Sequence, residues 1–181
     1  MTNIISLNVP QRRQTHTQRA ETLIDVFANH RRYNEDVFWL KENAELLNII
    51  ECTNTPVSPN ALAAHQEFYE QLPQQMAFFP QYYRFLLSIC LDLEDLGLGG
   101  TQGEEFCQWA ASKKLADAEL SDLQRGEAYR LLPRRGVGVP IDAGLDNRLR
   151  HFINRAETFA LPNKKAAYEL THIVFYLSEY G

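Results

Sequence analysis

The sequence predicts an all-α fold, a multi-helical array of about eight helices packed helix on helix. Apolar residues recur at three- and four-residue spacing through most of its 181 residues. Helix-opening signals, a Thr or Ser cap or a leading Pro, stand ahead of several of these runs. Strict alternation is confined to Ile5, Leu7 and Val9 against Ser6 and Asn8, which end at Pro10. That suffices for a short extended arm over residues 1–14 and not for a sheet.

The elements follow in order. Thr15-x-x-Gln18 forms a capping box, and Ala20, Leu23, Ile24, Phe27 and Ala28 continue to about His30. A second helix runs from about Asn34 to Glu51, carrying Phe38, Trp39, Leu46, Leu47, Ile49 and Ile50. After a turn, Ser58 caps a third helix that opens on Pro59, reaches about Gln71 and ends before Pro73. Gln74 to Phe79 is a turn, and Pro80 opens a fourth helix stopped by Gly97. Leu98-Gly-Gly-Thr-Gln-Gly103 is a flexible joint near 97–103. Helices follow over about Glu104–Lys114, Asp117–Leu132 and Asp142–Asn154, and Pro162-Asn163 opens the last. Residues 15–181 thus read as a single all-α domain, without a repeat of fixed period.

Hydrophobic content of 45% with 23% charged residues is ordinary for a globular chain. A net charge of −5 leaves no basic field for nucleic acid or an anionic membrane. Arg12-Arg13, Arg31-Arg32 and Arg134-Arg135 are short clusters beside acids, Pro or Gly, and read as solvated surface. Cys52, Cys90 and Cys107 form no Cys-x-x-Cys, and Cys52 and Cys90 read as small buried hydrophobes. With no secretory signal and no spanning apolar run, the expectation is a soluble cytoplasmic protein.

The segment from Ala166 to Tyr180 carries the strongest chemical signal. At about 100° per residue, Lys165, Glu169, His172, Tyr176 and Glu179 share one narrow stripe on an otherwise apolar helix. Glu-x-x-His is the spacing by which bundle enzymes present a carboxylate and an imidazole to a metal. A di-metal bundle needs a second such motif, and His16, His30, His65 and His151 each lack a Glu three residues earlier. Two readings stand. In one, Glu169 and His172 bind a metal ion with a carboxylate from another helix. In the other, Glu169 accepts from a tyrosine or arginine on a facing helix and His172 donates to a backbone carbonyl.

Other helices add candidates. Gln81, Arg84, Ser88, Asp92 and Asp95 form a polar stripe that reads as solvated. Glu94 falls among Tyr83, Leu87 and Cys90 and needs a partner, a tyrosine or arginine for structure or a ligand for chemistry. Asp36 sits near a helix start, where the dipole explains it. Asn43, on the face of Trp39 and Leu46, points to a polar pocket or a buried network. The aromatics from Phe68 to Phe85, without interleaved Lys or Arg, read as core. No phosphate-cradling, nucleotide, nucleophile-elbow or His-Glu-x-x-His motif occurs.

Three segments, Asp36 to Asn48, Phe79 to Ser88 and Phe159 to Gly181, resemble an uncharacterised family of bacterial proteins bearing a domain of unknown function. The resemblance covers most of the chain, with Tyr-Glu-Leu-Thr-His-x-x-Phe-Tyr as its most distinctive segment. It implies no activity, cofactor or substrate, but it implies that Tyr168, Glu169, Thr171 and His172 form a site. It also implies members that continue beyond this length, so the chain is expected to be the N-terminal part of a larger α/α assembly. The very apolar last helix, expected to be buried round most of its circumference, agrees. The leading functional expectation is an interaction or structural module whose C-terminal helix packs on a further helical domain or a second subunit. The alternative is a metal-binding or enzyme-like domain with a pocket of Tyr168, Glu169, Thr171, His172, Tyr176, Asn43 and Glu94. There His172 is ligand or general base, and Glu169 is ligand or orienting carboxylate.

Overall fold

Local chemistry sets the first helix start in the computed structural model, which describes residues 14–31, 37–139 and 142–178. Thr15 Oγ1 accepts from Gln18 N at 3.1 Å, the Gln18 side chain accepts from Thr15 N at 3.0 Å, and α1 (His16–Asn29) follows. The expected arm, Arg12-Arg13, Arg32, Asp36 and Glu179 lie outside the described residues. The remaining helices are α2 (Val37–Cys52), α3 (Pro59–Leu62), α4 (Gln66–Phe78), α5 (Tyr83–Asp95), α6 (Gln102–Ser112), α7 (Asp122–Leu131), α8 (Leu145–Ile153) and α9 (Lys164–Ser178). Among the described residues there is no strand, and no helix is long and apolar enough to cross a membrane.

Ser58 caps α3 with Pro59 at its first position, as the sequence predicts. The predicted third helix differs beyond that point. It breaks into α3, a 3-10 turn (Ala63–His65) and α4, and α4 runs straight through Pro73. Proline has no N–H for the carbonyl four residues back. That carbonyl belongs to Tyr69, and Gln102 Nε2 supplies the missing donor at 3.1 Å. A side chain distant in sequence thus lets the helix tolerate its proline.

Three helices end on one device. In α5, Leu98 N donates to Leu93 O at 2.8 Å and Gly97 N to Glu94 O at 3.1 Å, with Gly97 at φ +106. Helix α2 ends likewise through Asn54 at φ +50, and α6 through Lys114 at φ +52. Neither of these two ends has a glycine to announce it. Residues 113–121 then turn, so α7 begins at Asp122, later than expected, with Ser121 Oγ accepting from Gln124 N.

Helix α5 is the centre, packed by α2, α4, α6 and α7. Its Leu87, Ile89, Leu91 and Leu93 have no solvent access, nor do Leu47, Leu62, Leu72 and Leu131 around them. A smaller core joins α8 to α9 through Leu145, Leu149 and Ile173. Phe68, Tyr69 and Tyr83 are core as expected, whereas Phe78 and Phe79 are 70% and 41% exposed at the end of α4. The thiols of Cys52, Cys90 and Cys107 are all free, with Cys90 and Cys107 buried and Cys52 only half-buried.

Three expectations are overturned. The α5 stripe is solvated only at its ends, Gln81 and Asp95, because Ser88 and Asp92 are buried and Arg84 is nearly so. Arg134-Arg135 is not free surface either. Arg134 donates to Asp92 at 2.7 Å and to Asp95 at 2.7 Å, and Arg135 bonds Glu94 and Asp95. Burial pushes the Asp92 carboxyl up to about 6 against the pull of Arg134. Finally, α9 is peripheral. It packs on α7, α8 and the Ala156–Phe159 turn, and Ala166 and Ile173 are its buried residues. Apolar character fits a helix for burial without supplying the neighbours.

Removing the cation strands a carboxylate without solvent access. Arg134→Met is therefore expected to cost about 3–5 kcal/mol, and Asp92→Leu/Arg134→Met to recover most of the loss. Urea denaturation of the three proteins checks both statements.

Candidate functional site

Helix α9 is set by its start, one apolar seam and one close approach. Asn163 Oδ1 accepts from Ala166 N at 3.1 Å and starts the helix. Ile173 and Leu177 then pack on Leu145 and Leu149. Gly126 of α7 lies against the same seam, where an added Cβ would stand 3.4 Å from Leu149 and 3.6 Å from Tyr176. With that side of α9 occupied, Tyr168, Glu169, Thr171, His172 and Tyr176 line a cleft of ≈ 700 Å³ between α2, α5, α7 and α9.

His172 Nδ1 lies 2.8 Å from the Tyr168 carbonyl. A carbonyl only accepts, so Nδ1 carries the proton, and in the neutral ring Nε2 keeps its lone pair. The imidazole stacks on Tyr168 at 3.9 Å between centroids and meets Tyr176 edge-on at 6.0 Å. Thr171 Oγ1 donates to the same Tyr168 carbonyl at 2.8 Å. The expected histidine-to-carbonyl bond is present. Glu169 takes its ion pair along its own helix, from Lys165 Nζ at 3.8 Å.

Both residues are only partly screened from water, and they are not shut inside the protein as the apolar pattern suggests. Among the described residues, no three His, Cys, Asp or Glu side chains gather into a group able to hold a metal ion. The described residues therefore do not supply the third ligand, a carboxylate from another helix, that a Glu169–His172 metal site needs.

The cleft and its margin add residues that the stripe does not contain. Lys41 Nζ lies 4.6 Å over the Tyr168 ring, and the Arg130 guanidinium lies 4.6 Å over Phe175. Arg84, on the floor, bonds Glu119 at 2.8 Å and also pairs with Glu127. Burial, reinforced by the Glu127 carboxylate, pushes the Tyr176 phenol above its usual range, so it stays a neutral donor. A glycine within a helical pattern, Gly126, is the sequence signal that points to this seam.

Asn43 and Glu94 do not line the cleft. Asn43 is fully buried and bonds His65 Nε2 at 2.8 Å, beside α1. Glu94 accepts from Tyr69 Oη at 2.5 Å, Gly103 N at 2.8 Å and Arg135 Nη2 at 3.0 Å. Tyrosine and arginine are the structural partners anticipated for it. The two residues pin the fold, Asn43 between α2, α1 and His65, and Glu94 between the end of α5, Tyr69, Gly103 and Arg135.

Gly126→Ala is expected to fold normally, since its contacts are ordinary van der Waals distances, while Gly126→Leu must push α9 off α7. Hydrogen exchange over residues 164–178 measures this, with protection kept in the first variant and lost in the second.

No curated protein and no solved structure matches the chain. One family does, over residues 1–181, and its description is Domain of unknown function (DUF6902). The chain belongs to that family over its whole length.

Proposed function

We propose that the chain is a helical interaction module whose recognition surface is the cleft bordered by α9. The observation that carries this reading is an open apolar surface beside charges that are already matched. Ile49 is 54% exposed and Tyr168 40% exposed on the cleft rim, with Phe85 and Phe175 behind them. Arg84 is neutralised by Glu119 and Glu127, Lys41 by Glu45, and Lys165 by Glu169. A partner therefore need bring no counter-charge. An amphipathic helix laid in the groove, from a further helical domain or a second subunit, matches those terms. Nucleic acid and membrane stay outside this reading on the net charge of −5. The free cysteines support a cytoplasmic setting.

The enzyme-like alternative keeps one specific observation, the His172 Nε2 lone pair beside two tyrosines. Stoichiometric metal by elemental analysis, lost in His172→Ala, would favour it over the docking reading.

Ile49→Glu places a charge on an exposed position. It is expected to leave stability within about 0.5 kcal/mol of the parent. Self-association by sedimentation equilibrium should weaken at least about tenfold, along with fluorescence of 1-anilinonaphthalene-8-sulfonate bound to the native protein. A parent that stays monomeric to high concentration and binds no dye would sink the docking reading.

A further inference from the structure

Away from the cleft, the end of α1 is held by side chains of another helix. The last carbonyls of a helix have no partner within it. Here Phe27 O accepts from Asn43 Nδ2 at 3.2 Å, and Ala28 O accepts from Trp39 Nε1 at 3.0 Å. Asn43 Nδ2 also donates to Trp39 O at 2.9 Å, so both of its amide protons are used. Asn43 Oδ1 must then be the acceptor in the 2.8 Å bond to His65, and His65 Nε2 must carry the proton. Nδ1 is left as a bare lone pair, and it is buried with no partner. His65 itself has no solvent access.

We propose that this knot is an acid-operated latch: protonation of His65 at Nδ1 releases α1 from α2 while the α5-centred core stays folded. The added proton meets no acceptor, and the cation it creates is shut in apolar surroundings. Trp39 flanks the ring at 5.9 Å, and Phe68 of α4 packs on Trp39 at 4.9 Å. Among the described residues the charged group acting on His65 is Arg31, whose guanidinium lies 4.6 Å over Trp39, and it repels a second cation. No carboxylate among them offsets it.

Burial first, and Arg31 second, pull the imidazole down from 6.5 to about 4. Docked α1 therefore binds fewer protons than released α1 throughout that window. Docking is complete above pH 6.5 and weakens about tenfold per unit as pH falls toward 4. Another polar tie of α1 is Glu21, which accepts from Ser58 N at 2.9 Å, and that bond holds its carboxyl below the usual range. The buried face of α1 is small, Ala20, Ile24 and Ala28, so it can open separately from the core.

Hydrogen exchange of residues 16–29 and 83–95, corrected for intrinsic rates and followed from pH 7 to pH 4, tests the latch. Protection of α1 should fall about tenfold per unit below pH 6.5 while α5 keeps its own. His65→Gln keeps a donor toward Asn43 without the ability to charge, and should flatten the pH dependence. Should that variant not fold, Arg31→Gln serves instead: with the repelling cation gone, docked His65 takes its proton more readily, so the loss of α1 protection should be smaller and level off at a higher pH. Loss of protection in α1 and α5 together, a pH-independent α1, or an Arg31→Gln profile superimposed on the parent would each overturn the proposal.

Discussion

A carboxylate without access to water governs this molecule. Asp92 stands buried in the last turn of the central helix, where an isolated negative charge would be untenable, and Arg134 reaches it from the turn that follows α7. Because Arg134 and Arg135 both grip the end of α5, that turn is fixed, and α7 with it. Helix α7 carries Gly126, against which α9 seats. The width of the cleft thus traces back to an ion pair that forms none of its lining. Glu94, one residue before Asp95, extends the same clamp to α4 and α6 through Tyr69 and Gly103.

Features legible in the sequence are those whose causes are local. The Thr15–Gln18 box, the Ser58-Pro59 start and the Gly97 stop involve partners within a few residues, so short-range chemistry decides them. What escaped reading depends on distant partners. Pro73 looks like a helix end until Gln102 is seen to serve the stranded Tyr69 carbonyl. Lys114 ends α6 in a conformation usually left to glycine, so nothing marks the boundary. The α5 stripe resembles a wet face because an amphipathic pattern cannot register two arginines arriving some forty residues later.

The candidate site divides in the same way. Tyr168, Glu169, Thr171, His172 and Tyr176 share a cleft because three- and four-residue spacing on one helix guarantees a common side. Asn43 and Glu94 were legible as buried polar groups in need of partners, yet not as members of separate networks. Their partners, His65 in one case and Tyr69 with Arg135 in the other, lie far along the chain. The apolar richness of α9 suggests enclosure. It is better understood as a surface that α7, α8 and the Ala156–Phe159 turn hold on one side and that remains half open on the other. Membership of a family without an assigned activity leaves that surface, and the imidazole on it, as the chemistry on offer.

Tyr69 has a consequence of another kind. Its hydroxyl accepts from Gln102 N and donates to Glu94, while its carbonyl accepts from the Gln102 side chain. The two ends of the glycine-rich connection between α5 and α6 are therefore fastened to the same tyrosine independently of the peptide between them. At Gly99 an added Cβ would meet nothing within 4 Å. Severing the backbone there and rejoining the molecule elsewhere would leave both new ends already moored, which makes Gly99 a natural place to open the chain for a circular permutant.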